Sequence, residues 1–487
     1  MDREVFSYYA SSRAHRGESA GEGRSVGGSA GGSACGDLIR ISLGGGVDGR
    51  VGQACFEADG CAAIFAAAAA VCERVEGLGL IEAARLDAAA IAGLLGGLGS
   101  EAMHAARLVE DALHRALGTA AASGVVSGSA PVGGERILVA MSGGVDSTVA
   151  AVMAARRGLE VVGVTVKLWS DQSGDPGRSC CSPQAVLGAR AIAHSLGFPH
   201  LTLDLEDRFA AAVVAPFVEG YATGSTPNPC IRCNGRVRLD AMAGLAGQIG
   251  ADALATGHYA RVVDDDGGPL LAAAADPTKD QSYMLAALSP KTLAKLRFPL
   301  AATTKTEVRA IAAELGLAVA KRPDSQDLCF LSGVGKADFL ARHGGPGDRP
   351  GAIIDRGGRV LGRHRGQHNF TIGQRRGLGI GGGEPLYVAE RDAVANTVTA
   401  APRRALLRTR IELREVILHR SGERVDAVKL RYRGEALSAR LDPPSASVGS
   451  HRQLSVELNE PAWAVARGQT AVLLDGERLI GHGTIVG

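Results

Sequence analysis

A glycine-rich turn between an apolar run and a helix-like segment constrains the fold of this chain more than any other feature. The apolar run, residues 137–141, is typical of a buried strand. The turn, residues 142–147, reads SGGVDS, and residues 148–155 have the composition of a helix. Because backbone N–H groups and a helix dipole converge at such a turn, it predicts a binding site for phosphate.

The SGGVDS turn is not a Walker A loop. A Walker A loop ends in Gly-Lys-Ser/Thr, whereas residues 142–147 contain no lysine. The turn instead resembles the PP-loop of ATP pyrophosphatases, which cradle the pyrophosphate of ATP and transfer AMP to an oxygen atom. That resemblance implies ATP and Mg²⁺ as cofactors, with Asp146 helping to position the metal ion. The alternative is a turn whose glycines serve only backbone geometry.

Strand-like and helix-like segments alternate after residue 136. Strands are expected at residues 161–166, 200–204 and 253–256, and a helix at residues 183–196. This alternation predicts an α/β domain built on a parallel sheet. Ligands of such sheets bind at the carboxyl ends of the strands, which is where the SGGVDS turn lies.

The segment before this domain has a different pattern. Residues 16–34 are rich in Gly and Ser and predict a loop. Residues 38–43 alternate in polarity like a half-buried strand, and residues 51–57 are expected to pair with them across a glycine-rich turn. Residues 62–75 and 100–117 predict helices, so this part of the chain is expected to form a small α+β unit.

Beyond residue 346 the chain changes character again. Helical patterns become scarce, and short strands bounded by glycine are expected at residues 398–400, 411–413, 427–432 and 453–458. The predicted architecture is therefore multidomain. Its parts are an N-terminal α+β scaffold-like domain (1–120), a linker (121–134), an α/β PP-loop domain with a parallel sheet (135–340), a small central domain (341–402) and a C-terminal β-barrel (403–487).

Charge is nearly balanced, with 53 basic and 51 acidic side chains in 487 residues. Any contact with nucleic acid must therefore come from local basic patches. No apolar run reaches the roughly 18 residues that span a bilayer, and the N-terminus lacks a basic region leading into an apolar core. We expect a cytoplasmic protein with no membrane partner, in which nine cysteines indicate metal or thiol chemistry before structural disulfides.

Three cysteines after the turn are candidates for chemistry. Cys230 and Cys233 form a CxxC pair, and Cys329 lies in the segment DSQDLCF, residues 324–330. A CxxC pair alone is compatible with metal binding, redox work or nucleophilic catalysis. A second CxxC, which would favour structural zinc, is absent from the sequence. A lone cysteine such as Cys329 is, by itself, most often a small buried hydrophobe.

Five segments occur in an order that resembles the tRNA-specific 2-thiouridylase family, MnmA/TrmU. They are SGGVDS (142–147), ATGHY (255–259), KDQSY (279–283), DSQDLCF (324–330) and TIGQRRGLG (371–379). The resemblance extends over residues 135–487. Chance agreement does not explain this many matches in the same order.

This resemblance implies a reaction and its residues. The family adenylates the 2-oxygen of the wobble uridine in tRNA with ATP and replaces that oxygen with sulfur. Cys329 would carry a persulfide received from a sulfur donor, either a cysteine desulfurase or a sulfur-relay protein. Its outer sulfur would attack C2 directly, or after Cys233 has released it as hydrosulfide by thiol–disulfide exchange.

The resemblance also implies which residues act. The catalytic residues would be Asp146, Cys233 and Cys329. The residues that would hold ATP are Ala140, Met141, Ser142, Gly143, Gly144, Val145, Asp146, Ser147, Val166 and Gly257.

Base modification also requires the target to leave its stack. In the family, the positions of Asn228, Pro229 and Cys230 contact the flipped base. The other residues that would contact tRNA are His258, Lys279, Asp280, Gln281, Arg431, Tyr432 and Gln469. An arginine set that could bind phosphates comprises Arg359, Arg363, Arg365, Arg375 and Arg376. An ordinary solvated face is the alternative for these arginines.

Cys230 departs from the family pattern, because many members have an acidic residue at that position. Three cysteines, Cys230, Cys233 and Cys329, are therefore available. Three thiolates could bind three irons of a [4Fe–4S] cluster and leave the fourth iron open to sulfide. The persulfide route and this iron–sulfur cluster route both remain open at this point.

Residues 1–120 lie outside the thiouridylase resemblance and resemble the IscU/NifU N-terminal iron–sulfur scaffold. The scaffold uses three cysteines and an aspartate, whereas Ala105 stands in this chain where the third cysteine is expected. The remaining candidate metal ligands are Cys35, Asp37, Cys61 and His104, a set that suits zinc or iron. A degenerate scaffold that keeps only a docking surface for a cysteine desulfurase is the alternative. Fusion to the enzyme would raise the local concentration of whatever the scaffold delivers.

Two other classes of protein would contain some of the same motifs. Amide-forming synthetases also contain a PP-loop, but they lack the catalytic cysteine pair and the TIGQRRGLG segment. A non-catalytic iron–sulfur carrier that only binds RNA has no need of intact SGGVDS and DSQDLCF segments. A tRNA sulfurtransferase therefore fits the motifs best.

Overall fold

A computed structural model describes residues 2–17, 24–31, 36–131, 134–169, 183–321, 328–331, 334–381 and 383–486. These residues contain four sheets, of three, five, four and eight strands. The predicted multidomain architecture is confirmed. Each helix in the described part of the chain is too short or too polar to span a bilayer.

The first unit packs helices against an antiparallel sheet with the strand order β1-β2-β3. Its elements are α1 (Arg3–Ser11), β1 (Ser25–Gly31), β2 (Leu38–Gly45), β3 (Val51–Asp59), α2 (Ala62–Val75), α3 (Leu80–Ala83), α4 (Ala88–Leu94) and α5 (Met103–Ala122). The predicted hairpin is present, since β3 pairs antiparallel with β2. Burial alternates along β2 because Ile39, Ile41 and Leu43 point into the core.

Strand β1 contradicts the prediction of a loop over residues 16–34. It pairs with β2 along its whole length, although four of its seven residues are glycine or alanine. The cause is close packing on α5: a Cβ atom on Gly28 would lie 2.3 Å from the backbone N of Ala116 and 2.6 Å from the backbone O of Ala112. Packing that only glycine permits therefore outweighs the low strand propensity of glycine.

The second unit contains a parallel sheet with the strand order β10-β7-β4-β5-β6. Its elements are β4 (Arg136–Ala140), α6 (Val145–Arg156), β5 (Glu160–Lys167), α7 (Pro183–Ser195), β6 (His200–Asp204), α8 (Glu206–Phe209), α9 (Ala215–Ala222), α10 (Pro229–Cys233), α11 (Leu239–Gln248), β7 (Ala253–Thr256), β8 (Arg261–Val263), β9 (Leu270–Ala272), α12 (Pro290–Lys295), β10 (Leu296–Arg297), α13 (Lys305–Glu314) and α14 (Lys336–Arg342). The chain runs from β4 to one edge and returns to β7 on the other side of β4. The SGGVDS turn therefore follows the central strand, at the point where the strand order reverses, which is where such sheets bind ligands.

The third and fourth units complete the chain. A four-stranded sheet has the order β12-β11-β14-β13, with β11 (Gly351–Ile354), β12 (Val360–His364), β13 (Leu386–Asp392) and β14 (Thr397–Pro402). The C-terminal strands are β15 (Leu407–Leu418), β16 (Ala427–Lys429), β17 (Leu437–Asp442), β18 (Gly449–Trp463), β19 (Thr470–Asp475) and β20 (Arg478–Ile485). They close into a six-stranded barrel because β15 pairs with both β18 and β20. The β8–β9 hairpin of the second unit extends this sheet from β20.

Helix α5 of the first unit covers β6, the edge strand of the parallel sheet. The two backbones nearly touch at Gly118, where a Cβ atom would lie 2.0 Å from the carbonyl oxygen of Thr202. Beside this contact, Asp111 of α5 accepts from the guanidinium of Arg190 at 2.7 Å, and both side chains are more than nine-tenths buried. Desolvation raises the pKa of Asp111, but Arg190 and Arg115 outweigh it and hold that pKa below its usual range. The interface thus buries an ion pair and shields a strand edge.

The predicted linker is also docked over its described residues. The N–H of Ser127 donates to the carbonyl oxygen of Gly49 at 2.9 Å, and the N–H of Gly128 donates to that of Gln248 at 3.1 Å. The guanidinium of Arg136, only 1% exposed, donates to the carbonyl oxygen of Ser129 at 2.6 Å. These hydrogen bonds fix the linker to the first unit at Gly49 and to the second unit at Gln248 and Arg136.

Removing the Asp111 carboxylate should destabilise the whole chain. In Asp111→Ala, the buried guanidinium of Arg190 would keep the hydroxyl of Thr202, at 2.9 Å, but would lose its carboxylate. Leaving one partner of a buried ion pair uncompensated costs about 3–5 kcal/mol. The free energy of unfolding, measured by urea denaturation, should fall by about that amount, while the exposed control Asp264→Ala should change it by less than about 0.5 kcal/mol. Equal effects of the two substitutions would contradict the interface energetics.

Candidate active site and candidate metal site

The SGGVDS turn connects the end of β4 to the start of α6. Ala140 ends the strand, Gly144 is the N-cap residue and Val145 is the first helical residue. Gly143 has φ +71°, in the left-handed region that favours glycine. A helix of 12 residues therefore opens its N-terminus at the carboxyl edge of the sheet, and its dipole and free N–H groups favour a phosphate group there.

Hydroxyl groups hold the turn in this conformation. The Oγ atom of Ser147 accepts from the N–H of Ser142 at 3.1 Å and donates to the carbonyl oxygen of Gly144 at 3.1 Å. From β5, the hydroxyl of Thr165 donates to the carbonyl oxygen of Met141 at 2.8 Å. The turn is thus preorganised by its own serine and by the neighbouring strand.

Gly257 lets the end of β7 approach the same turn. A Cβ atom at this position would lie 2.6 Å from the backbone N of Ser147 and 2.7 Å from the carbonyl carbon of Asp146. Val166 is buried near the end of β5. All residues predicted to hold ATP therefore lie at or near the ends of three adjacent strands, β5, β4 and β7. Their contact with the nucleotide remains a prediction.

Asp146 is engaged by two side chains from elsewhere in the second unit. The Nζ atom of Lys305 lies 2.7 Å from each carboxylate oxygen of Asp146, and the hydroxyl of Tyr259 donates to Oδ1 at 2.9 Å. Mg²⁺ that accompanies a nucleotide is usually held by one or two carboxylates and the phosphates. Since Lys305 covers both oxygens of Asp146, this donor set does not fit the ion as it stands.

Lys305 was not identified from the sequence, because 159 residues separate it from Asp146. It is the first residue of α13, and a capping box between Thr304 and Glu307 fixes that end of the helix. The pattern Thr-x-x-Glu is the local signal of such a helix start. It locates the lysine on a helix but does not indicate that the helix packs beside α6.

The NPCIRC segment forms the short helix α10. The side chain of Asn228 caps it by accepting from the N–H of Ile231 at 3.3 Å, and Pro229 occupies the first turn. Cys233 is buried and Cys230 is more exposed. Helix α10 continues into α11 through a π-helical turn, a distortion that is frequent at functional sites.

A chain of hydrogen bonds connects α10, the cysteine helix, to the SGGVDS turn, which is called the phosphate turn below. Arg238, at the end of the π-helical turn, donates to Oδ1 of Asn234 at 2.6 Å and contacts Nε2 of His258 at 3.1 Å. Because an arginine can only donate, Nε2 of His258 accepts, and its Nδ1 donates to the hydroxyl of Thr256 at 2.9 Å. Thr256 precedes Gly257, so the residue after Cys233 is connected to the strand end that touches Ser147.

The predicted tRNA residues near Cys230 converge around two tyrosines. The rings of Tyr283 and Tyr432 lie 6.4 Å apart, and the hydroxyl of Tyr283 donates to the carbonyl oxygen of Thr470 at 2.8 Å. The side chain of Asn228 is close enough to that hydroxyl to influence its pKa. Burial raises the pKa of Tyr432, and the nearby charges of Asp280 and Cys230 raise it further. The structure thus brings together residues that are distant in sequence.

Two residues of the KDQ segment serve the local fold. The carboxylate of Asp280 accepts from the backbone N–H and the hydroxyl of Ser282 and from the N–H of Ala274. Gln281 exchanges two hydrogen bonds with the backbone of Tyr259, at 2.8 and 3.0 Å. Lys279 is close enough to Tyr432 to influence its pKa. Contacts of these three residues with tRNA remain predictions.

The other predicted tRNA residues lie beside a cleft of about 610 Å³. Arg431 and Gln469 line it from the barrel, and Thr371 and Ile372 line it from the TIGQRRGLG segment. The side-chain amide of Gln469 also donates to the carbonyl oxygen of Thr226 at 2.6 Å. A cleft lined by two arginines, Arg431 and Arg433, and one glutamate, Glu435, therefore opens beside the loop that precedes the cysteine helix.

This loop is held by two further units at once. The guanidinium of Arg391, in β13, donates to the carbonyl oxygen of Gly224 at 2.7 Å and to the hydroxyl of Thr226 at 2.9 Å. The N–H of Thr226 donates to the carbonyl oxygen of Arg467 in the barrel at 2.8 Å. The position of α10 therefore depends on the central unit and on the barrel.

Cys329 begins a 3₁₀ turn, Cys329–Leu331, and is half-buried. Its neighbour Phe330 anchors the turn by packing edge-on against Phe217 of α9 and Phe339 of α14, with ring centroids 5.1 and 5.2 Å apart. Residues 324–327 of the DSQDLCF segment lie outside the described part of the chain.

A compact set of potential metal ligands lies in the first unit. Asp37 Oδ2 is 3.0 Å from His104 Nε2 and 3.3 Å from the thiol of Cys61, which is itself 3.6 Å from His104 Nε2. Three of the four predicted ligands therefore converge. The fourth, Cys35, lies outside the described residues.

The orientation of the His104 ring suits metal binding. Its Nδ1 lies 2.6 Å from the carbonyl oxygen of Glu101, so Nδ1 donates and the lone pair of a neutral ring is on Nε2. That lone pair faces the Asp37 carboxylate and the Cys61 sulfur, and three electron-rich atoms at this spacing need a proton or a cation between them. This set fits Zn²⁺ or Fe²⁺.

One other cluster of the described residues, Glu110, His114 and His194, has ligand atoms within 4.8 Å of one another. Both ring nitrogens of His114 face carbonyl oxygens, of His200 at 2.6 Å and of Leu86 at 2.9 Å. Both nitrogens are therefore already engaged in contacts within the interface. Neither cluster contains the thiols expected for the iron–sulfur cluster route. Cys230 and Cys233 lie on α10, and Cys329 begins the separate 3₁₀ turn.

Comparison with known families places each unit. Models described as the NifU-like N terminal domain and the tRNA methyl transferase HUP domain match residues 2–122 and 135–333. The tRNA methyl transferase PRC-barrel domain matches residues 337–402, and the Aminomethyltransferase beta-barrel domain matches residues 418–485. A bifunctional protein NifU/MnmA of Rubrobacter xylanophilus is 43% identical over 462 residues, which are 93% of this chain and 92% of that protein. The chain belongs to the NifU/MnmA family.

Further relatives match 72–74% of this chain. The tRNA-specific 2-thiouridylase MnmA of Rhodospirillum centenum is 44% identical over 72% of this chain and 91% of its own length. That of Rhizorhabdus wittichii is 45% identical over 74% of this chain and 94% of its own length. Both resemblances predicted from the motifs, to the thiouridylases and to the scaffold, are confirmed, and the chain is an enzyme.

Acid should destabilise the protein through His258. Desolvation and the charge of Arg238 lower the pKa of His258 to about 3, whereas an unfolded histidine titrates near 6.5. Between these values the unfolded state binds the extra proton, so stability falls as pH drops from about 6.5 towards 3. The melting temperature of His258→Asn, followed from pH 7.5 to pH 4, should therefore decrease less steeply than that of the wild type. The control His451→Gln, on the barrel, should keep the wild-type slope, and parallel curves for all three proteins would contradict this assignment.

The Asp37, Cys61 and His104 cluster should bind one divalent metal ion. The purified full chain, loaded with Zn²⁺ or with Fe²⁺ under anaerobic conditions and desalted, should retain about one equivalent per chain by elemental analysis. Cys61→Ser and His104→Ala should each lose that equivalent, because they remove a ligand. Cys55→Ala changes a buried thiol outside the cluster and should retain it. Full metal retention by both ligand variants would show that the ion lies elsewhere.

Proposed function

We propose that this enzyme replaces the 2-oxygen of the wobble uridine in tRNA with sulfur, using ATP. The observation that carries the proposal is the connection from Asn234, beside Cys233, through Arg238 and His258 to the strand end that touches the SGGVDS turn. It couples a phosphate-binding turn to a cysteine helix. The NifU/MnmA relative and the thiouridylases named above support the same reaction.

The first step activates the base. The uridine O2 attacks the α-phosphorus of ATP, an O–P bond forms, and the bond to the β-phosphate oxygen breaks, so that pyrophosphate leaves. The N-terminus of α6 stabilises charge that develops on the phosphates. The C2 carbon then bears AMP, which is a far better leaving group than oxide. The loop of Gly224 and Thr226, held by Arg391, positions the cysteine helix beside this carbon.

The second step delivers sulfur. A sulfur donor first places a sulfane sulfur on Cys329. In one route, the Cys233 thiolate attacks the Cys329 sulfur, a disulfide forms, and hydrosulfide leaves to attack C2 and expel AMP. The disulfide then needs two electrons from an external thiol reductant. In the other route, the terminal sulfur of the persulfide attacks C2 directly and expels AMP, and the Cys233 thiolate then attacks the Cys329 sulfur, which releases the thiolated base and forms the same disulfide.

An iron–sulfur route is the second candidate for sulfur delivery, and Cys230 is the observation that favours it. A thiol at this position lies close enough to Tyr432 to influence its pKa and would complete three cysteine ligands with Cys233 and Cys329. Such a cluster would supply an open iron that binds sulfide. This route requires all three thiols at the cluster, whereas the persulfide route requires only Cys233 and Cys329.

The first unit is proposed to serve sulfur or iron–sulfur supply. Asp37, Cys61 and His104, with Cys35, would hold the metal ion, which would organise thiolates for sulfur acceptance. Its fixed docking on β6 keeps this site at a constant position relative to the catalytic unit. A cysteine desulfurase is the proposed donor.

Thiolation of unmodified tRNA by the full chain tests this proposal. With ATP and either sulfide or a cysteine desulfurase plus cysteine, 2-thiouridine should accumulate, measured by mass spectrometry of digested tRNA. Cys329→Ser should abolish turnover with the desulfurase but retain release of pyrophosphate, because adenylation does not use the thiol. Cys72→Ala, a buried thiol outside the site, is the matched control.

The Cys230→Ala variant separates the two routes. The persulfide route predicts an active, colourless enzyme, whereas the cluster route predicts loss of activity together with loss of brown charge-transfer absorbance after anaerobic reconstitution. Absence of 2-thiouridine with both sulfur sources would refute the proposed function itself.

A further inference from the structure

The phosphate turn has an unbalanced charge of its own. The SGGVDS residues contain no cation, and they contribute one carboxylate, Asp146, in the first turn of α6. An anionic side chain at the mouth of a phosphate site opposes the binding of a triphosphate. A cation from another part of the fold must therefore compensate it.

Lys305 is placed to supply that cation. Its ammonium lies 2.7 Å from both oxygens of Asp146, and its side chain is 12% exposed. The backbone at its base is fixed, since Lys305 begins α13 behind the capping box of Thr304 and Glu307. Val308 of α13 and Val149 of α6 share one fully buried cluster. The two helices thus keep the lysine beside the first turn of α6.

Tyr259 keeps the carboxylate in place independently of the lysine. Its hydroxyl donates to Oδ1 of Asp146 at 2.9 Å, and its ring is buried in the same cluster as Val308. The ammonium of Lys305, by contrast, is at the end of a flexible four-carbon stem with three donors. The lysine can therefore change partner while the aspartate remains oriented.

We propose that Lys305 binds the phosphates of ATP that leave as pyrophosphate, turning from Asp146 to them when the nucleotide enters. This inference rests on the proposed function, because it assigns the cation for its adenylation step. The ammonium neutralises charge that develops on the leaving pyrophosphate as the α–β bond breaks. It takes the place that a lysine inside the loop occupies in a Walker A site. Without nucleotide, the ion pair with Asp146 keeps the Lys305 ammonium at the site.

The proposal is tested by direct binding of the two products to the full chain. Inorganic pyrophosphate and AMP are titrated by isothermal calorimetry into the wild type, Lys305→Met and Lys305→Arg. Lys305→Met should weaken pyrophosphate binding at least about tenfold, the loss of one charge-assisted hydrogen bond, and leave AMP binding within about twofold. Lys305→Arg should recover part of the pyrophosphate affinity, and Lys291→Met, which removes an exposed lysine of α12, should leave both affinities unchanged.

A double variant separates phosphate binding from mere neutralisation of Asp146. If Lys305 only cancels the aspartate charge, Asp146→Asn combined with Lys305→Met should restore wild-type pyrophosphate affinity. The proposal predicts that the double variant stays weak. Restored affinity in the double variant, or unchanged affinity in Lys305→Met, would overturn it. Because no tRNA is present, a failure of thiolation would not alter these binding results, so the two proposals fail separately.

Discussion

The close approach of the β7 strand end to the first turn of α6 is the contact on which the catalytic unit depends. Only a residue without a side chain fits there, since a Cβ atom on Gly257 would lie 2.6 Å from the backbone N of Ser147. This contact sets the phosphate turn directly beside Thr256 and His258, whose hydrogen bonds lead to the cysteine helix. The SGGVDS turn and the cysteine helix are therefore connected through the same few residues, Gly257, Thr256 and His258.

The site is assembled from several units, and each contributes something the others lack. The second unit supplies the turn, Lys305 and the cysteines. The central unit supplies Arg391, and the barrel supplies Gln469, and both hold Thr226. Binding of a large substrate to the central unit and the barrel would therefore act on the cysteine helix through the loop before it. A small molecule that filled only the phosphate turn would not reach those contacts.

Local patterns in the sequence predicted the elements and the chemistry that adjacent residues encode. Alternation along β2, the apolar strands of the parallel sheet and the SGGVDS turn all have short-range signals. Strand β1 was mistaken for a loop, because its glycines serve a contact with α5 that residues 25–31 do not reveal. Lys305 and the Asp111–Arg190 pair were missed for the same physical reason, since each depends on which helices become neighbours across more than 70 positions of sequence.

The docking of α5 on β6 has a consequence for what separation of the two units would expose. A flexible tether would let either half be lost, exchanged or separately produced without harm to the other. Here, physical separation of the first unit from the second would uncover the apolar face of α5, the edge of β6 and a guanidinium that has lost its carboxylate. A gene that encoded either unit alone would therefore need different residues on the surface that is buried here.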